Sequence, residues 1–176
     1  MRKKGYVALA LALVTGLVAF SLIGGAAAQD GTDRRLRANL TGDKEVPGPG
    51  DDNGWGRANV RVFPAREKVC FRLRWAEIAA PTAAHIHAGT RTEAGPIVVT
   101  LFMSSASPAE PPTLPDTLSG VQGCSDMVEI PEGAPFDNAM QLLRNINGHP
   151  RQYYVNIHNL DFPGGAIRGQ LHRVGG

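Results

Sequence analysis

KVCFRLRW, residues 68–75, alternates without a break: Val69, Phe71, Leu73 and Trp75 are apolar, and Lys68, Cys70, Arg72 and Arg74 stand between them. Successive side chains of a strand point to opposite faces, so a period of two marks a strand with one buried and one solvent side. The same rhythm recurs on both sides of this stretch. Leu36, Ala38 and Leu40 alternate with Arg35, Arg37 and Asn39, and Ala58, Val60 and Val62 alternate with Arg57, Asn59 and Arg61. Further on, Tyr153, Val155 and Ile157 face one way and Tyr154, Asn156 and His158 the other, while Ile167 and Leu171 face in and Arg168, Gln170 and His172 out. Ile97 to Phe102 is a continuous apolar run of strand length, compatible with burial on both faces.

Turn signals separate these runs. The clearest are Gly48 to Gly54, Pro64 to Arg66 and Pro163-Gly164-Gly165. Prolines 108, 111, 112 and 115 mark residues 104–117 as an insert that cannot join a sheet interior. One segment departs from strand rhythm: Phe136, Ala139, Met140 and Leu143 recur at helical spacing before Gly148-His149-Pro150. The pattern predicts an all-β fold, an antiparallel sandwich or flattened barrel of about seven or eight strands with one short helix near 136–146.

The chain opens with Arg2-Lys3-Lys4, runs through apolar residues from Val7 to Ile23 and reaches Ala26-Ala27-Ala28. A basic start, an apolar middle and an Ala-x-Ala end describe a secretory signal at residues 1–28, with cleavage expected after Ala28 and no membrane span left afterwards. Residues 29–35 would lead into a single domain at 36–174. Losing the signal removes three of the 18 basic residues and none of the 16 acidic ones, leaving 15 against 16 and a net charge of −1. That balance gives no electrostatic reason to expect nucleic acid as a partner. The two cysteines, Cys70 and Cys124, form an even count in a chain expected to be exported, which favours a disulfide over two separate thiols. Cys70 lies on the polar side of its strand, so the bridge should pin a peripheral segment, with Cys124 on a crossing over the sheet face or a rim.

The histidines carry the most specific chemistry. In AHIHAG, Ala84 to Gly89, Ile86 continues the inward series, so His85 and His87 face outward together, as do Asn156 and His158. If the two strands are neighbours, His85, His87 and His158 share a surface and offer the minimum set of imidazoles for a copper or zinc site. A hairpin closed by residues 159–165 would put Asn156 opposite Arg168 and carry His172 roughly 20 Å from His158. No carboxylate neighbours these histidines in sequence to orient them. Asp43, Glu45, Asp51 and Asp52 lack a calcium-loop spacing and read as turn residues. No nucleophile arrangement is evident.

The sequence resembles the CHRD family, the domain named after chordin and also found in exported bacterial proteins. The resemblance is carried by LTGDKEVP at 40–47, VCFRL at 69–73, AHIHAG at 84–89, GPIVV at 95–99, YYVNIH at 153–158 and FPGGAIRGQL at 162–171. It implies an immunoglobulin-like sandwich or barrel with limited similarity to copper/zinc superoxide dismutases, and no settled biochemical activity. The five histidines of the whole chain are too few for the six that the dinuclear dismutase pattern uses. The resemblance therefore implies first a secreted, metal-free binding or structural module, not an enzyme, with Asn156 and Arg168 on a contact face for an extracellular or cell-surface partner. The alternative is a mononuclear copper or zinc protein of redox or hydrolytic activity that uses His85, His87 and His158.

Overall fold

The computed structural model describes residues 33–104 and 119–175; the expected signal at 1–28 and all of the proline-rich insert except Ser104 lie outside the described residues. The strands are β1 (Arg34–Thr41), β2 (Trp55–Phe63), β3 (Lys68–Ala76), β4 (Pro81–Ala88), β5 (Ile97–Met103), β6 (Gly120–Ser125), β7 (Tyr153–Asn159), β8 (Ile167–Gln170) and the two-residue β9 (His172–Arg173), with one helix, α1 (Ala139–Gly148). They form one sheet in the order β5-β4-β7-β8-β1-β2-β3-β6, with β9 against β1. Every pairing is antiparallel.

The sheet bends back on itself. After β6 the chain runs beside β5, where Thr100 N donates to Met127 O at 3.0 Å and Glu129 N to Val98 O at 2.9 Å. That contact nearly closes the sheet into a flattened barrel and hides the backbone groups that an open edge would expose. The inward residues predicted from alternation fill it: Leu36, Ala38, Val62, Val69, Leu73, Ile86, Val155, Ile157, Ile167 and Leu171 are fully buried.

Three boundaries differ from the sequence expectation. β1 begins at Arg34, inside the expected lead-in, because its ladder with β2 extends to Arg34 opposite Val62. The helix starts at Ala139, where the Asn138 side chain accepts a hydrogen bond from Gln141 N at 3.0 Å, and it buries Leu142, Leu143 and Ile146 while Phe136 stays outside it. Cys124 sits on a strand, β6, rather than on a crossing. Its glycines hid that strand from propensity, but it pairs with β3 over six residues, Cys70 directly opposite Cys124.

Cys70 and Cys124 form a disulfide that fastens this strand across a sequence separation of 54 residues. Cross-linking a loop of that length restricts the unfolded chain by an amount equivalent to about 4 kcal/mol in the chain-entropy model. The double variant Cys70→Ala/Cys124→Ala is expected to fold with a stability reduced by about 2–4 kcal/mol. Urea unfolding measures this, and an unchanged midpoint would show that β6 holds its place without the bridge.

Candidate metal site

β4 lies between β5 and β7, and its register with β7 sets His85 opposite Asn156, His87 opposite Tyr154 and Ala83 opposite His158. On the far side of β7, Asn156 pairs with Arg168 of β8, as the hairpin spacing predicts. The β4–β5 ladder slips at Ala84/His85 and again at Ile86/His87. Irregular pairing of this kind turns side chains away from a regular strand's directions, and here it falls on the two histidines.

The three imidazoles converge. Ring centres are 4.9 Å apart for His85 and His158, 5.7 Å for His85 and His87, and 6.0 Å for His87 and His158. One ring nitrogen from each lies within 4.8 Å of those of the other two. His87 Nδ1 is 2.9 Å from the carbonyl oxygen of Gly95, and His158 Nδ1 is 3.1 Å from that of Pro163. A carbonyl only accepts, so each Nδ1 carries the hydrogen and each Nε2 keeps its lone pair. His158 Nε2 lies 3.1 Å from His85 Nδ1. His87 Nε2 is buried and has no hydrogen-bond partner among the described residues.

Sequence predicted this face to be open, and the structure covers it. Residues 89–95 fold over β4 and β7, held by Arg168, whose Nη2 donates to the carbonyls of Thr90 at 2.6 Å and Glu93 at 2.8 Å. The same guanidinium lies 3.5 Å from the centre of the Tyr154 ring, which stacks on His87 at 4.9 Å and 7°. Gly95 N donates to Tyr154 Oη at 3.1 Å. At Gly95 a Cβ would collide with the Ala88 carbonyl, so only glycine lets the loop lie this close. From the other end, residues 159–165 turn beneath the site. Gly165, at φ +144°, leaves room there for Asn156 and Glu45, each of which would come within 2.5 Å of a Cβ.

Asn156 and Arg168 are accordingly 3% and 2% exposed and do not form a solvent-facing contact surface. Asn156 Nδ2 donates to Glu45 Oε2 at 3.3 Å. Glu45 Oε1, Asn156 Oδ1 and Arg168 Nη1 join His87 Nε2 as buried polar atoms without a hydrogen-bond partner among the described residues. His149 caps the helix and lies with His172 on a separate groove beside Gly148 and Arg151. Sequence missed Gly95, Pro163 and Tyr154 as parts of the site. Their signal is the pair of turns, Gly95-Pro96 and Pro163-Gly164-Gly165, that follow the histidine strands.

A family model of the CHRD domain matches residues 36–171. The chain belongs to the CHRD domain family. No curated protein and no solved structure matches it. As a CHRD domain with a disulfide it is an extracellular type of module, and among the described residues no helix is long and apolar enough to cross a membrane.

Burial disfavours the charged form of His85, His87 and His158 in this CHRD domain. Desolvation lowers His85 and His87 from 6.5 to about 4, with the neighbouring imidazoles adding to the shift of both, and it lowers His158 as well. Desolvation raises Glu45 from 4.5 to about 7 against the opposing pull of Arg168 and the Asn156 hydrogen bond. Between about 6.5 and about 4 the unfolded chain binds protons that the folded His85 and His87 refuse, so their contribution to stability falls as pH is lowered through that window. Glu45 acts oppositely, since the folded chain holds its proton between 4.5 and about 7 and loses stability as pH rises there. Three histidines outweigh one carboxyl. The melting temperature is expected to fall on acidification through this range, and more steeply in Glu45→Gln. Circular dichroism melts across that range measure this, and a flat profile would contradict uncharged burial of the imidazoles.

Proposed function

We propose that this CHRD chain is an extracytoplasmic metal-binding module in which His85, His87 and His158 hold one copper or zinc ion. The observation that carries this reading is His87 Nε2: a buried lone pair without a partner among the described residues, on a ring whose centre lies 5.7 Å from that of His85 and 6.0 Å from that of His158, fixed in that tautomer by the Gly95 carbonyl. A buried polar atom left without a partner is costly, and in a native protein it calls for a reason. The donor set fits: three neutral imidazoles suit zinc or copper, whereas calcium and magnesium take oxygen ligands.

The sequence put a metal-free contact face first. That ordering rested on the family resemblance and the missing catalytic set; the covering of Asn156 and Arg168 takes these two residues out of a contact face, since a partner would meet the loop above them. His87 and His158 already present lone pairs, so binding asks only that His85 move its single ring hydrogen from Nδ1 to Nε2, which frees Nδ1 beside His158 Nε2. The carbonyls of Gly95 and Pro163 serve the orienting role that a carboxylate often fills beside a metal-bound histidine. A bound ion with three histidine ligands would supply Lewis-acid chemistry as zinc or one-electron chemistry as copper.

The test is metal content by mass spectrometry on secreted, untagged protein, dialysed against metal-free buffer and then loaded with copper or zinc. About one ion per chain should be retained, as one three-histidine site requires. His87→Ala should lose it, and His172→Ala should keep it. A folded wild-type chain that retains no ion, or a His87→Ala variant that retains as much, would overturn the proposal.

A further inference from the structure

The half of the barrel farthest from the histidines carries a second pattern. Strands β1, β2, β3 and β6 contain eight basic residues and no acidic one. Register arranges those that point outward into three rows: Arg35, Arg61 and Cys70; Arg37, Asn59, Arg72 and Gln122; and Asn39, Arg57 and Arg74. Each row holds two arginines. With strands ~4.8 Å apart and alternate residues ~6.8 Å apart, the six guanidinium stems rise from a patch about 14 Å along the strands and about 10 Å across them.

The patch is open. Arg35, Arg57, Arg61, Arg72 and Arg74 are exposed, and Arg35, Arg37, Arg61 and Arg72 line a shallow groove of about 360 Å³ together with Asn59. Arg37 Nε has no hydrogen-bond partner among the described residues. Asp33 approaches the rim, 3.6 Å from Arg61. The other described acidic residues lie off these strands, in the 43–52 loop, at Glu67 and Glu77 in turns, at Glu93, between Asp126 and Asp137, and at Asp161. Six like charges gathered on one face repel one another, and an anionic partner relieves that repulsion.

We propose that this face binds a linear anionic polysaccharide, a chain of sugars carrying carboxylate or sulfate groups. Arginine forks pair bidentately with such groups. The amides of Asn39, Asn59 and Gln122 share the rows and suit the hydroxyls between the charges. Trp55, 56% exposed, occupies the same outward parity of β2 as Arg57 and offers a flat apolar surface for a sugar ring at the end of the patch. A bilayer would be met by a belt of apolar side chains around the charges, whereas here Trp55 stands at one end and Val174 beside the groove, with arginines and amides along the rows between them. This face is separate from the histidine site and does not depend on its metal.

Binding of the secreted protein to dextran sulfate and to alginate, with neutral dextran, duplex DNA and phosphatidylglycerol vesicles alongside, tests the proposal. At least one anionic polysaccharide should bind, weakening as salt rises. Arg35→Gln/Arg61→Gln/Arg72→Gln should weaken it by at least about tenfold and lower the dependence of log affinity on log salt by about one per arginine removed. Arg57→Gln/Arg74→Gln, in the third row, should weaken it as well, and Arg91→Gln/Arg151→Gln, outside the patch, should leave it unchanged. Thermal melts confirm that each variant is folded. Absence of binding, equal loss in the control variant, or tighter binding to neutral dextran, DNA or vesicles would overturn the assignment.

Discussion

Arg168 carries a positive charge into a place where it is 2% exposed, and the environment of the histidines depends on how that charge is satisfied. An unpaired buried charge is expensive, and among the described residues no carboxylate forms an ion pair with it. Two backbone carbonyls and an aromatic ring do the work instead. Those carbonyls belong to the loop that covers His87, and the ring stacks on His87 itself. One guanidinium thus fixes the loop, the loop fixes the His87 tautomer through Gly95, and the three imidazoles are left buried. The lowered proton affinity of the imidazoles follows from the same enclosure.

Much of the barrel was legible because alternation reports directly on which side of a strand faces the core. Every inward residue read from β1, β2 and β3 is buried. The pairing of Asn156 with Arg168 followed from the turn length alone. Legibility ended where burial comes from a loop. β7 is buried along both faces, yet its polar residues read as solvent-facing, because the segment covering them arrives from about 60 residues earlier in the chain. Strand β6 was missed for a different reason. Gly120 and Gly123 have weak strand propensity, and the pairing with β3 overrides it. In α1 the buried stripe runs through Leu142 and Ile146 because the Asn138 cap delays the first turn.

Net charge misled in an instructive way. A mature chain near neutrality suggests indifference to polyanions, but a sum carries no information about place. The barrel separates its charges: arginines on the outward face of one half, carboxylates in loops and turns, and a pocket of neutral imidazoles in the other half. Alternation, the pattern that reveals the core, also lines up whatever occupies the positions between. In these strands that is mostly arginine.

The two carbonyls that orient His87 and His158 sit at fixed distances along the chain, eight residues after His87 and five after His158. Each depends on a nearby backbone position that admits no side chain, Gly95 itself and Gly165 two residues beyond Pro163. The site can therefore be written as a text pattern: His-x-His with glycine eight places on, and later His followed by proline at the fifth place and glycine at the seventh. In this chain the pattern marks the residues that orient the imidazoles, as distinct from those that build the barrel. Position, more than the count of histidines, is the criterion it applies.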